Sequence, residues 1–269
     1  MDLESLKAEL RTYINPGKAE FLPYFFKTGP GQYGEGDKFL GVVMPDSRKV
    51  AKQFQGMALK DVEELLHSPW HEERMVALLI LVEKYKKANK MGRSSRHSEL
   101  VSESGLKILK QVQDDSVSIW NGNECGQIYN LYLDNTQFIN NWDLVDLSAP
   151  GIVGRYVFDH REELPRIIKL TSSPLLWNRR VAMLASFYFI KNGEVEPALT
   201  IVEKLLNDKE DLIHKATGWM LREIYKRIDE QIVEDFIKQH YHDMPRTTLR
   251  YAIERMPEEK RKRFLKGEF

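Results

Sequence analysis

Ser68-Pro69-Trp70-His71-Glu72-Glu73-Arg74-Met75-Val76-Ala77-Leu78-Leu79 and Ser173-Pro174-Leu175-Leu176-Trp177-Asn178-Arg179-Arg180-Val181-Ala182-Met183-Leu184 are two copies of one pattern. They align without gaps as Ser-Pro-x-x-x-x-Arg-x-Val-Ala-x-Leu. Looser copies follow: Lys215-Ala216 lies 34 residues after Ala182, and Tyr251-Ala252 lies 36 after Ala216. Between them apolar residues recur at helical spacing over Glu196–Leu206, Asp211–Arg227 and Ile232–His240. Alternating β-branched runs are nearly absent. Recurrence at that interval, built from helix pairs, predicts an all-α chain of the α-solenoid class.

Working outward, Leu3, Leu6 and Leu10 mark a first helix that Asn15-Pro16 stops, and a second is expected from Pro16 through Phe21. Thr28 to Gly36 is a loop by composition; its glycines lack the context of a phosphate-binding turn. A helix is expected to open at Pro45 and continue through Val50, Ala51 and Phe54. The segment 92–126 breaks the period. It carries Arg-Ser-Ser-Arg-His-Ser-Glu-Leu-Val-Ser-Glu-Ser from Arg93 and resembles a translated interspersed repeat of the kind found in some bacterial genomes. It is expected to be an insertion in a single domain spanning 1–269, protruding or mobile and carrying no chemistry. The plainer alternative is an extra helix, Leu106 to Val112, between two loops.

Hydrophobic residues make up 42% and charged residues 30%, an ordinary globular mixture. Lys+Arg and Asp+Glu are both 40, so a nucleic-acid partner would need its cations gathered on one surface. Cys125 is the lone cysteine, which forbids an intramolecular disulfide and fits a reducing compartment. The acidic N-terminus lacks the order of a signal peptide, and no apolar run approaches a membrane span. A cytoplasmic protein with no membrane association is expected. His67 with His71, and His240 with His242, lack a third ligand, so neither metal nor cofactor is expected.

The chemistry-bearing stretch is Asn140-Asn141-Trp142-Asp143-Leu144-Val145-Asp146-Leu147-Ser148. Asn141 can cap a helix starting at Trp142. Trp142, Val145 and Asp146 then share one face, with Leu144, Leu147 and Ser148 on another that can pack inward. After Pro174, Trp177, Val181, Leu184 and Tyr188 form an apolar stripe flanked by Arg180. After Asp211, Ile213, Ala216, Met220 and Ile224 form another, with Trp219 beside it next to Gly218, whose missing side chain is expected to leave the nearby surface open.

Trp142-Asp143-x-Val145-Asp146, Trp177-x-x-Arg180-x-Ala182 and Lys215-Ala216-x-Gly218-Trp219-x-Leu221-Arg222-Glu223 together resemble the AlkD-like DNA alkylation repair glycosylases. The resemblance runs from Phe39-Leu40-Gly41 to Arg250, apart from the insertion. It implies HEAT-like helical repeats, curved with a concave DNA-binding face. It also implies excision of cationic N3- and N7-alkylated purines from duplex DNA without flipping the lesion into a pocket. On that resemblance Asp146 is the catalytic carboxylate, Trp142 and Trp219 contact the deoxyribose backbone at the lesion, and Arg180 holds a phosphate. Periodicity does not separate Arg180 from Arg179; only the family register favours Arg180. Arg246 and Arg250 begin a cation-rich C-terminal stretch that can extend a DNA surface.

The expected protein is therefore a monomeric DNA glycosylase acting on duplex DNA with alkylated bases. Two rivals stay open: a non-catalytic helical-repeat protein that binds structured or branched DNA, and a protein-interaction scaffold in which the tryptophans anchor a partner.

Overall fold

The computed structural model describes residues 2–102 and 115–269, with side chains for all of these except 91–102 and 115–123. The α-helices, in order, are α1 (Leu3–Arg11), α2 (Pro16–Phe25), α3 (Met44–Gln53), α4 (Leu59–Leu66), α5 (His71–Ser102), α6 (Asp115–Asp134), α7 (Trp142–Ser148), α8 (Arg155–Asp159), α9 (Leu164–Lys169), α10 (Leu176–Lys191), α11 (Glu196–Leu205), α12 (Asp211–Arg227), α13 (Glu230–His240), α14 (Arg246–Ala252) and α15 (Glu258–Lys266). The fold is all-α: among the described residues the only β-type pairing is a single bridge between Lys38 and Trp70. No helix among them is long and apolar enough to cross a membrane.

Local chemistry explains the helix starts. Asp2 accepts from the Ser5 amide at 2.9 Å and Asn15 from the Lys18 amide at 3.1 Å, each removing an orphan donor of a first turn. Pro16, Pro45 and Pro197 sit in first turns, where a missing N–H costs nothing. α2 runs past the expected Phe21 to Phe25, with Pro23 inside it.

The chain divides into two compact units, Met1–Ser148 and Ala149–Phe269. In the first, α5 is the axis. Residues 71–82 are buried all round, with α3, α4, α6 and α7 packed about it. Val76, Leu78, Ile80 and Leu81 are fully buried, and each contributes on the order of 1.5–3 kcal/mol by leaving water. In the second unit, α10 packs on α11 and α12, and α12 packs on α13 and α14. The expected stripe Ile213, Ala216, Met220 and Ile224 is the buried face of α12. Gly218 does not open a surface. A Cβ there would stand 2.5 Å from both the Thr248 carbonyl oxygen and the Tyr251 Cβ, so this glycine lets α12 and α14 approach backbone to backbone.

The two Ser-Pro turns are built alike. The Ser68 hydroxyl accepts from the Trp70 amide at 3.1 Å, and Ser173 from the Leu175 amide at 3.2 Å. Arg74 and Arg179 each donate Nη1 to the carbonyl of that serine at 2.9 Å. Of the expected insertion at 92–126, residues 103–114 lie outside the described residues, and with them the alternative helix Leu106–Val112; its two flanks are helical, ending α5 and opening α6.

Candidate functional site

α7 begins where the sequence reading placed it. The Trp142 amide donates to the Asn141 side chain at 2.9 Å, and the Val145 amide to the Asn141 carbonyl at 3.2 Å. Its inner face differs from the expectation: Leu144, Val145 and Ser148 are buried, while Leu147 is half-buried. Val145 therefore does not share the outer face, which consists of Trp142, Asp143 and Asp146, each half-buried. The Trp142 indole stacks on Phe26 at 5.6 Å and meets the edge of Phe25 at 6.0 Å. Asp146, one turn on, lies close enough to Tyr132 for its charge to add to the burial that raises that phenol's pKa.

Beneath α7 lies a buried charge cluster. His71 meets Asp37 through Nδ1 at 3.1 Å and Asp143 through Nε2 at 2.9 Å. Asp37 also takes Arg74 at 2.5 Å and the Asn141 amide at 3.2 Å. Burial alone would raise the Asp37 pKa. The hydrogen bond from His71, the charges of Arg74 and His71, and the hydrogen bond from Asn141 reverse that and hold it below the ordinary carboxylate value. The neighbouring Glu72 accepts from three consecutive backbone amides, Leu40 at 2.9 Å, Gly41 at 2.8 Å and Val42 at 3.2 Å. It thereby fixes the Phe39–Val42 segment, in which Gly41 takes a φ of 81°.

In the second unit, Trp219 is half-buried on α12. Its Nε1 donates to Glu223 at 3.2 Å and its ring leans on Phe187 at 5.9 Å. Lys191 and Arg227 stand over that phenylalanine at 4.3 and 5.5 Å. Burial opposes ionisation of Glu223, yet hydrogen bonds from Arg227 and Trp219 hold its pKa below the usual value. Glu223 thus stays a carboxylate that fixes the indole edge. Arg180 does not merely flank the α10 stripe. It is 4% exposed and donates Nη1 to the Leu212 carbonyl, which ties α10 to the start of α12.

The family described as DNA alkylation repair enzyme matches residues 6–256. The chain belongs to that family. Its role is in the repair of alkylated DNA, and DNA is its substrate. No curated protein matches. Among solved structures, the chain is similar to one described as "Predicted DNA alkylation repair enzyme from Enterococcus faecalis", at 19% identity and a TM-score of 0.63, covering 91% of this chain and 97% of that one. At that identity the likeness speaks for the fold.

Within this family member the remaining cations sort by their partners. Arg179, the competitor of Arg180 for a phosphate, is engaged elsewhere. It pairs with Asp208 at 2.6 Å and donates to the Ser173 and Pro174 carbonyls. The gapless repeat carried this signal, because Arg179 falls under Arg74. Arg246 is exposed but gives donors to the Leu265 carbonyl at 2.9 Å and to the Tyr241 hydroxyl at 3.4 Å. Arg250 is exposed on α14. His67 and His71 go to different partners, Asn135 for the former. Among the described residues no group of three or more His, Cys, Asp or Glu side chains could hold a metal ion. The Asp37–His71–Asp143 cluster escaped the sequence reading, since its members lie 34 and 72 residues apart.

Proposed function

We propose that the protein is a monofunctional DNA glycosylase that removes cationic N3- and N7-alkylated purines from duplex DNA, working as a monomer without metal or organic cofactor. Family membership supports DNA as the substrate and the repair of its alkylation as the role. The observation that carries the finer reading is the outer face of α7, where a half-buried carboxylate, Asp146, stands one turn from a half-buried indole, Trp142.

The chemistry asks for little more. Most glycosidases need a second carboxyl group to protonate the leaving group. An N3- or N7-alkylated purine already carries a positive charge. When the bond from C1′ to the purine nitrogen breaks, its electron pair neutralises the base, which leaves without an acid. The sugar becomes an oxocarbenium-like cation. Asp146 stabilises it by charge and orients the water whose oxygen bonds to C1′; that water's proton passes to the carboxylate or to solvent. The indole of Trp142, one turn from Asp146, adds cation–π attraction to the same developing charge; for Trp219 the family resemblance implies a contact with the deoxyribose backbone. Because the base need only depart, no pocket for a flipped nucleotide is required, unlike the general pattern. Arg246 and Arg250, both exposed, are the candidate phosphate contacts through their planar guanidinium groups; Arg180, 4% exposed and engaged with the Leu212 carbonyl, reaches a phosphate only by leaving that carbonyl.

The test is release of 7-methylguanine from methylated duplex DNA. Asp146→Asn is expected to abolish release while retaining DNA binding; undiminished release removes Asp146 from the mechanism. Binding of junction DNA with no excision by the unaltered protein would favour the non-catalytic alternative.

A further inference from the structure

We propose that His71 is a positioning residue for the site on α7: by bridging Asp37 and Asp143 it fixes the first turn of that helix, and with it the Trp142 indole and the Asp146 carboxylate. For its catalytic consequence this rests on the glycosylase reading; its geometry stands without it.

Both residues flanking Trp142 are tied to the same cluster. On one side Asn141 donates its side-chain NH2 to Asp37 at 3.2 Å, and its side-chain oxygen accepts from the Trp142 amide at 2.9 Å. On the other, Asp143 receives His71 on one oxygen at 2.9 Å and the Leu144 amide on the other at 2.9 Å. The imidazole also holds the indole through rings. It packs against Phe39 at 4.9 Å and Phe26 at 4.9 Å, and Phe26 stacks on Trp142. His71 is itself anchored, its amide donating to the Lys38 carbonyl at 2.8 Å.

The geometry demands an imidazolium. Each ring nitrogen faces a carboxylate oxygen, and a neutral ring has one N–H for the two. The charges agree. Asp37 and Asp143 face Arg74 and His71, whereas Glu72 is turned to the Leu40–Val42 amides and Glu73 to Arg11 and Ser68. With a neutral ring one carboxylate would lie uncompensated in a site where His71 is 3% exposed. Burial pulls the imidazole pKa down, but hydrogen bonds to Asp143 and Asp37, and their charges, lift it to about 9. The bridge is thus intact below the ordinary value of 6.5 and is lost as pH rises through about 9.

The experiment uses the full chain, 15N-labelled, with the Trp142 indole signal assigned by Trp142→Phe, from pH 6 to 10. In the unaltered protein that signal should titrate with a midpoint near 9, while that of the buried Trp177 stays fixed. His71→Gln, whose single amide can donate to one carboxylate only, should displace the signal and abolish its titration. Asp143→Asn, which leaves the Asp37–Arg74 pair and the imidazole in place, should displace the signal and move its midpoint to lower pH, and serves if His71→Gln does not fold. Single-turnover release of 7-methylguanine should fall by up to about 100-fold in either variant, with duplex affinity retained and the alkaline limb gone in His71→Gln and moved to lower pH in Asp143→Asn. An indole signal blind to pH and to both substitutions, or a midpoint at the free imidazole value, overturns the proposal. If the signal titrates as described but the unaltered protein releases no base, the bridge stands and the glycosylase reading falls.

Discussion

Glu72→Gln isolates one charge among three amides. The carboxylate is 3% exposed; Oε2 accepts from Leu40, and Oε1 from both Gly41 and Val42. Glutamine has the same shape but a single acceptor oxygen. In its better orientation the amide oxygen keeps Gly41 and Val42, and the NH2 group then faces the Leu40 N–H, donor against donor. In the other orientation two donors are opposed, so the first is adopted. Loss of charge assistance at the two retained bonds is offset by no longer burying a charge. What remains is one buried, unpaired amide, worth about 1–3 kcal/mol. At roughly 2–4 °C per kcal/mol for a chain of this order of size, a loss of about 2 kcal/mol lowers Tm by about 4–8 °C. Urea unfolding followed by circular dichroism should show a lower midpoint with an unchanged slope. The control is Glu64→Gln, an exposed site on α4, expected within about 0.5 kcal/mol of the parent. If Glu72→Gln is no less stable than that control, the Leu40–Val42 segment is not held by this carboxylate.

Arg179→Met strips the ion partner from Asp208, whose side chain is 6% exposed. It should cost about 3 kcal/mol in urea unfolding while leaving the salt dependence of DNA binding unchanged. Arg250→Ala should behave conversely, with the slope of log affinity against log salt falling by about 1 and Tm unmoved. Gly218→Ala forces the α12 and α14 backbones apart and should destabilise by about 1–3 kcal/mol in the same unfolding assay. Because the His71 pKa is raised on folding, its charge contributes stability fully below pH 6.5 and loses it as pH approaches and passes about 9. The urea midpoint should decline across that window in the parent and stay flatter in His71→Gln.

The helices were largely legible because their apolar faces are long and regular. α12 spans the expected Asp211–Arg227, and α7 opens at Trp142 behind Asn141. What failed to show followed from contacts between distant residues. Nothing in the spacing of Val145 says that the inner face of a seven-residue helix is Leu144, Val145 and Ser148; only its neighbours decide that. Gly218 read as open space because a missing side chain looks the same whether solvent or the backbone of α14 faces it. Arg180 read only as a residue flanking the α10 stripe because its carbonyl partner, Leu212, lies 32 residues on. Arg179 was the recoverable case. Its counterpart Arg74 stands at the same place after a Ser-Pro turn, and a local bond within six residues is what such a repeat encodes.

That local bond has a consequence for how repeats of this kind are assembled. The serine carbonyl that each arginine grips lies six residues upstream in both copies, so the brace closes within its own turn and asks nothing of adjoining helices. The counter-charge is another matter: Asp37 precedes its arginine by 37 residues, whereas Asp208 follows its own by 29. Grip is inherited with the motif, and neutralisation is recruited from whichever stretch of chain happens to lie alongside. A transplanted copy would therefore keep its corner and still need an acid supplied from its new surroundings.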